Sequence, residues 1–588
     1  MTFSGWLTIF LFVAVLTALA LALGRYLAKV YAGERVFLSR IVGGPERLIY
    51  RVMRVDPGRE QDWKAYARSL LLFSAAGWLL LYLILRAQDI APHSVNPLGY
   101  EAAPWNVTFN TVSSFVTNTN WQYYSGETTM SYLSQMMGLT VQNFLSAGAG
   151  IVVAVALVRG IVSRSGSSLG NFWQDIVRTI LYVLAPISVL GAIVLVSQGV
   201  IANLGNYLTV HTVTGLTQHI AMGPVASQEA IKMLGTNGGG FFNVNSAHPF
   251  ENPTAFTNFF EMLLVLVIPA ALVFMYGRMT GNRRQGHAIY GAVMVMFLGA
   301  VVVAYIAEAH GSPAQHAAGL HTHAIAGSAG GNLEGKEQRF GIAGSALFDV
   351  VTTVTSTGAV NSAIESFTGI GGAVPFANLS ASEVIFGGVG TGLYSILLYV
   401  LLAVFIGGLM VGRTPEWLGK KLEAKEIKLA GLGILITPLA ALFATALAVA
   451  TKAGRSSISE LGKGPQGFSE SFYAYLSQSN NNGSALAGYT GFIQPNAGNV
   501  GSHGVTFADV LGGLVMLFAR FGPIVFVLAV AGALAGKRVT PAGLGTMRTD
   551  NPTFVVLLIG VVIIVGALTF FPALLLGPIV QGLTGHLY

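Results

Sequence analysis

The sequence predicts an all-α polytopic membrane protein of about ten transmembrane helices. They form four helix–re-entrant pore loop–helix repeats, with one extra helix at each end. Three observations carry this. Of 588 residues, 53% are hydrophobic and only 10% are charged, where soluble domains carry about 25% charged residues; the mean hydropathy is +0.63. Apolar runs of the roughly 20 residues needed to cross a bilayer recur ten times along the chain. Four short polar, glycine-bearing segments interrupt them at corresponding places. Non-helical backbone at membrane depth is tolerated only where protein buries it or where it lines a water-filled path.

The candidate spans lie at roughly 6–28, 68–86, 129–158, 175–198, 255–277, 288–309, 384–411, 428–450, 506–535 and 553–578. The first lacks a basic leader and ends in Arg25, Lys29 and Arg35, so it reads as a retained span and not a cleaved signal. Four runs are too short to cross: Trp105–Val116, Ser227–Leu234, Ser345–Val354 and Phe468–Ser477. Each precedes one polar segment: Thr117–Gln122, Gly235–Gly240, Thr355–Ala359 and Asn480–Ser484. The repeating unit is therefore helix, short re-entrant helix, extended loop, helix. This divides the chain into 1–66 (first helix and basic loop), pore repeats at 67–164, 165–286, 287–426 and 427–548, and a last helix in 549–588.

Register strengthens the repeat. Aligned, the segments place Thr119-Asn120, Asn237-Gly238, Thr357-Gly358 and Asn482-Gly483 at one depth. Glycine, and next asparagine, reach positive φ most cheaply, and such angles let successive carbonyls face one axis. The plainer alternative for a lone Gly238-Gly239-Gly240 is close helix packing; four aligned breaks argue against it.

Basic residues orient the chain. Lys29, Arg35, Arg40, Arg47, Arg51, Arg54, Arg59, Lys64 and Arg68 follow the first span, and Arg159, Arg164, Arg278, Arg283, Arg284, Arg413, Lys420, Lys421, Lys537, Arg538 and Arg548 close the repeats. The stretches 87–104 and 199–224 carry no Lys or Arg. By the positive-inside rule the polar segments and both termini face outward. The +7 formal charge is thus a topology signal and not a nucleic-acid footprint. Without cysteine, disulfides and thiol chemistry are excluded.

The polar segments offer backbone carbonyls and Thr, Asn and Ser side chains with no Asp or Glu. That donor set suits a dehydrated potassium or sodium ion better than calcium or magnesium, whose sites use carboxylates. Asn110, Asn243 and Asn245 could line a vestibule or cap the short helices. No GxxxxGK[ST] or DKTGT-like run is present and no inner loop could house a nucleotide domain, so the chain binds no nucleotide and has no catalytic site for ATP hydrolysis.

The runs TNTNWQ, GTNGGGFFNVNSAHPFENPT, STGAVNS, SEVIFGGVG, LMVGRTPE and NNGSA resemble the KdpA family, the potassium-translocating subunits of the bacterial Kdp potassium-uptake ATPase, nearly end to end. The resemblance implies a fold related to potassium channels and to Trk, Ktr and HKT transporters. It implies filter positions at Thr119, Asn120, Gln122, Asn237, Gly238, Gly239, Thr357, Gly358, Asn482 and Gly483. It implies potassium as the transported ion, with a P-type ATPase catalytic subunit (KdpB-like), a single-span accessory subunit (KdpC-like), a small helical peptide (KdpF-like) and membrane lipid as partners, in the bacterial plasma (inner) membrane. An autonomous Trk/Ktr-like channel or symporter is the competing reading; an intramembrane enzyme lacks a nucleophile–base set at depth.

Other charges are weighed singly. Glu383, beside Gly387-Gly388-Val389-Gly390, is a candidate for the ion's sideways exit or a helix-start acid. Glu229 and Lys232 stand i,i+3 and are expected to pair, and Asp349 to brace its loop similarly. Arg413 reads as a topology charge, and Arg520 as a partner for an intramembrane acid or a packing residue. His310, His316, His321 and His323 could bind a transition metal, although a solvated loop is the plainer reading.

Overall fold

The computed structural model describes residues 1–580 except 165, 321, 324, 326–329, 411, 413–414, 459–463, 490–502 and 542–545. Arg413 and His321 lie outside the described residues. Among those described, ten helices are long and apolar enough to cross a membrane. In chain order the elements are α1 (Phe3–Tyr31), α2 (Ser39–Val52), α3 (Trp63–Arg86), α4 (Trp105–Val116), α5 (Ser134–Val162), α6 (Phe172–Ser197), α7 (Val225–Leu234) and α8 (Ala255–Met279). Then come α9 (Arg283–His310), α10 (Gly341–Val354), α11 (Gly369–Ser380), α12 (Thr391–Met410), α13 (Ala424–Ala450), α14 (Pro465–Ser479), α15 (Phe507–Ala535) and α16 (Pro552–Ile579). All ten expected spans are present. The four short runs are the helices α4, α7, α10 and α14.

Burial sorts the spans into an inner and an outer set. In each unit the helix after the loop is the more enclosed: 83% of the α5 window and 89% of the α8 window are buried, then 67% for α12 and 56% for α15. The helices that open the units, α3, α6, α9 and α13, run from 28% to 50%, and α1 and α16 stand at 28% each. An apolar helix left largely uncovered by protein has its remaining surface available to lipid, which is no loss in a bilayer. α1 lies along α8, where Gly24 lets the two backbones approach; a methyl there would come within 2.7 Å of the Ala271 carbonyl.

One span departs from expectation. The run predicted as helix over 384–411 becomes helical only at Thr391. Ser382, Glu383, Phe386, Gly387 and Gly390 all have positive φ, so 382–390 is a non-helical strap. Its apolar Val384-Ile385-Phe386 reads as span by hydropathy, yet no helix can pass through four such dihedrals in six residues. Val389 donates its N–H to Thr236 Oγ1 at 2.9 Å and Gly387 donates to the Val354 carbonyl at 3.0 Å, so the strap runs against the second and third loops.

The connection from α9 into α10 is pinned by a buried ion pair. Lys336 Nζ meets Glu308 Oε2 at 2.7 Å with both side chains fully enclosed. Glu308 also accepts from the Thr368 N–H and hydroxyl at 2.8 Å and from Asn332 Nδ2 at 2.8 Å. Removing one member of such a pair strands a charge, at a cost of about 3–5 kcal/mol. Lys336→Met is expected to lower the melting temperature of the purified protein, followed by tryptophan fluorescence. Adding Glu308→Gln should recover part of that loss; a single variant that melts like the wild type would refute the assignment.

Candidate ion-binding ring

The four loops leave their short helices in the same way. The backbone N–H groups of Thr119, Asn237, Thr357 and Asn482 each return to the carbonyl five residues back, on Ser114, Lys232, Thr352 and Ser477, at 2.8 to 2.9 Å. The residue before each, Asn118, Thr236, Ser356 or Asn481, is left-handed at φ 69, 46, 51 and 52. This is the Schellman way of ending a helix. The residue after each, Asn120, Gly238, Gly358 or Gly483, is left-handed again, at φ 55, 75, 84 and 102. The aligned pairs of the sequence thus occupy one geometric position. In a strand successive carbonyls point to opposite sides; alternating φ sign turns them to the same side.

The loops close on one another. A methyl added to Gly238 would overlap the Thr357 carbonyl, one on Gly358 the Asn482 carbonyl, and one on Gly483 the Thr119 carbonyl. The remaining side is closed by Asn120, whose Nδ2 donates to the Gly238 carbonyl at 3.1 Å and to Asn143 Oδ1 at 2.7 Å. Loops one to four therefore follow each other round a ring. Glycine is required wherever the next loop's carbonyl presses against the Cα. The first loop carries asparagine at this position, and its side chain makes the contact to the second loop instead.

Most of the amide side chains tie loops together. Gln122 pairs with Gly240 through Nε2 to the carbonyl and the N–H to Oε1, both at 3.0 Å. Asn237 Nδ2 donates to Asn118 Oδ1 at 2.5 Å, and Asn482 Nδ2 to the Thr352 carbonyl at 2.9 Å. Through these amide groups Gln122, Asn237 and Asn482 also hold the ring together. The oxygens Asn120 Oδ1 and Asn237 Oδ1 have no hydrogen-bond partner among the described residues. Gly239 lies against Asn120, where a methyl would be 3.0 Å from its Cβ. All ten positions fall in or beside the ring, and only Gln122 and Gly483 are partly exposed.

Sequence reasoning passed over several contributors. Asn118 Nδ2 reaches the Gly235 and Thr236 carbonyls at 3.2 and 2.8 Å. Ser146 and Asn143 of α5 hold Asn118, Asn120 and Asn237. Two polar residues three apart in an apolar span were the available signal. Asn481 Nδ2 donates to Thr119 Oγ1 at 2.9 Å and so joins loop four to loop one.

Around the ring, Lys232 meets Glu229 at 2.5 Å, as expected, and also Glu251 at 2.7 Å. Glu251 Oε1 in turn accepts from the Phe242 N–H at 2.9 Å, two residues beyond Gly240. Asp349 does not brace its loop: both its carboxylate oxygens lack a partner among the described residues. Asn110 donates to the Asp509 carbonyl, Asn245 accepts from Lys232, and Asn243 is exposed with its N–H on Glu127, so none of the three caps a short helix. Glu383 is buried in the strap, its Oε2 without a partner among the described residues. It lines a cavity of about 30 Å³ shared with Tyr394, Asn480 and Asn481, room enough for a water. Arg520 is buried and donates to Thr391 Oγ1 at 2.8 Å. His316 Nε2 lies 3.0 Å from the His310 carbonyl and His323 is exposed; among the described residues no three His, Cys, Asp or Glu side chains gather as a metal site.

The sequence profile described as "Potassium-transporting ATPase A subunit" (KdpA) matches residues 10–583. The chain belongs to the KdpA family. The "Potassium-transporting ATPase potassium-binding subunit" of Methylobacterium nodulans is 53% identical over 585 residues, covering 100% of this chain and 98% of that one. The protein of the same name from Rhizobium rhizogenes is 51% identical and covers 99% of each. Among solved structures, the potassium transporter TrkH from Vibrio parahaemolyticus matches at a TM-score of 0.48 and 14% identity, covering 76% of this chain and 84% of that one, too distant a likeness to argue from. The chain is thus a multi-pass membrane protein of a potassium-transporting family.

The ring geometry makes Gly358 decisive. Gly358→Ala forces a methyl into the Asn482 carbonyl from a left-handed backbone, where non-glycine residues already cost about 1–2 kcal/mol. The expected result is at least a roughly tenfold rise in the potassium concentration that half-saturates transport, with the variant still inserted and extractable. An unchanged potassium dependence would mean that the ring tolerates this distortion.

Proposed function

We propose that the four loops form a potassium-selecting filter and that this chain is the ion-binding, translocating and non-catalytic subunit of an ATP-driven uptake pump. The single observation carrying this is the closed ring of four left-handed loops, built from backbone carbonyls with no acidic residue in it. Carbonyl dipoles can replace the hydration shell of a monovalent cation without holding it as a ring of carboxylates would. The names of the relatives support potassium as the ion and a P-type ATPase complex as the setting. In this reading the filter faces outward across the bacterial inner membrane, in line with the positive-inside pattern. A KdpB-like subunit supplies ATP hydrolysis, and KdpC-like and KdpF-like subunits complete the complex. The ion, stripped of water in the ring, leaves past Glu383, whose carboxylate lies in the strap against the second and third loops and borders the small cavity reaching Asn480 and Asn481.

The deciding measurement is potassium-stimulated, vanadate-sensitive ATPase activity of the complex purified in mild detergent through a tag on this chain. Wild type should bring an ATPase with it, and Gly238→Asp, which drives a charge and a Cβ into the Thr357 carbonyl, should abolish potassium stimulation. A chain that purifies alone and passes potassium into liposomes without ATP would instead be an autonomous Trk/Ktr-like channel or symporter.

Glu383 has its own test. Glu383→Gln should leave half-saturating potassium within about threefold of wild type while cutting ATP-driven uptake by at least roughly tenfold, since it removes a charge from the exit and not from the ring. Full uptake in that variant would remove Glu383 from the path.

A further inference from the structure

We propose that the inner hairpin at 416–421 is a seal across the cytoplasmic end of the ion path. It gathers the inner ends of all four inner helices, and it obliges the ion to leave sideways. The inference rests on the filter reading for the identity of the path, but its geometry stands on separate residues.

The hairpin follows α12, the inner helix of the third unit. Glu416 pairs with Lys421 and Trp417 with Lys420 across a two-residue turn at Leu418 (φ 50) and Gly419 (φ 75). Two positive φ values in a two-residue loop match the twist of a tight hairpin. From this turn two buried side chains reach out in different directions. Trp417 stacks on Tyr276, three residues from the end of α8, with ring centroids 6.4 Å apart and an interplanar angle of 23°. Lys420 Nζ donates to the Gly160 carbonyl near the end of α5 at 3.0 Å and to the Leu534 carbonyl near the end of α15 at 2.7 Å. Trp417 is 2% exposed and Lys420 1%.

One short hairpin thus continues the third inner helix and touches the last turns of the other three. Only Trp417 and Lys420 of the hairpin are buried, while Glu416, Leu418 and Gly419 are partly exposed and Lys421 is exposed, so the hairpin covers the four ends and meets them through these two side chains. Carbonyls at a helix C-terminus are unsatisfied and carry its negative dipole end. A single ammonium bridging two of them holds α5 and α15 together where Gly160 already meets Ala531 so closely that a methyl would overlap its carbonyl. The hairpin is anchored from the far side as well. Thr540 donates its N–H to the Gly419 carbonyl at 2.8 Å, and Thr546 Oγ1 donates to Glu416 Oε2 at 2.8 Å. Along α5, Ser146 stands at the ring and Gly160 fourteen residues below it, about 21 Å at 1.5 Å per residue. The seal therefore lies far from the ring and well beyond the Glu383 strap.

The test uses the complete complex in liposomes, following rubidium or potassium entry with and without ATP. Wild type should show ATP-driven entry and no passive entry. Lys420→Met with Trp417→Ala should admit the ion without ATP, because losing even one charge-assisted hydrogen bond shifts an open–closed equilibrium roughly tenfold or more. Lys420→Arg, which keeps the donors, should stay tight. A double variant as tight as wild type overturns the seal.

If the double variant does not assemble, a lock decides instead. The chain has no cysteine, so Tyr276→Cys with Trp417→Cys can be bridged by a short bifunctional thiol reagent in an otherwise unreactive chain. A static seal predicts that the bridged complex keeps ATP-driven uptake. Loss of uptake on bridging, restored by cleaving the bridge, would mean that the hairpin must open for the ion, and the sideways route forced by a closed end would fall. Wild-type complex lacking ATP-driven uptake would refute the pump reading alone, because the leak is measured without ATP.

Discussion

The hydrogen bond from a loop N–H back to a carbonyl five residues earlier, made four times, is the constraint on which the rest of this molecule depends. It ends each short helix at a set residue, forces the residue before the donor into left-handed geometry, and delivers the next one into it again. At Thr236 this means a β-branched side chain at φ 46, a backbone that such residues avoid. Its hydroxyl accepts from the Val389 N–H and donates to the Gly235 carbonyl. Once the four exits are equivalent, the loops must meet, and glycine becomes obligatory where a carbonyl of the next loop abuts the Cα.

Burying so much irregular backbone sets a second demand, because unpaired amides in a bilayer cost several kcal/mol each. The chain meets it with side-chain amides between loops and with two buried polar residues of α5, Asn143 and Ser146. Full charges are kept out of the ring and placed behind it. Lys232 sits among Glu229 and Glu251, and Glu251 also fixes the backbone at Phe242 just past the ring. Lys336 and Glu308 do the same for the approach to α10. Rigidity near the ring comes from ion pairs, while the ring itself presents dipoles and no full charge.

Hydropathy and turn chemistry make the spans, the short helices and the register of the four loops legible in the sequence. Each depends on neighbours within a few residues. What stayed hidden depends on residues far apart in the chain. Asn118 and Gly235 are 117 residues apart and share a hydrogen bond; nothing local marks that. Residues 384–390 of the strap read as the start of a helix because Val384, Ile385 and Phe386 are apolar. What breaks it is contact at a distance, where Gly390 comes so close to the Gly150 carbonyl that a Cβ would overlap it. The hairpin at 416–421 turns on Leu418-Gly419, without the Asn-Gly or Asp-Gly that would have announced it. Asp349 looked like a brace by analogy with Glu229, but no lysine stands three residues on to receive it.

The departures from fourfold equivalence collect in the third unit. Among the described residues it places the twelve-residue α11 between its loop and its inner helix, where the first unit has only the one-turn helix Gly126–Thr129; it starts that inner helix late behind a strap of left-handed residues, and the hairpin that meets the other three follows it. Above the strap the four units are near copies of one loop; below it the third differs from the rest. Coordinating one ion favours equivalent oxygens on all sides, whereas sending that ion to one side requires that the sides differ. The same chain accommodates both because ring geometry is set locally by helix ends and carbonyl contacts, and asymmetry is introduced only after the loop has closed. In the proposed function, selection and routing are therefore carried by different residues, and a change in one need not disturb the other.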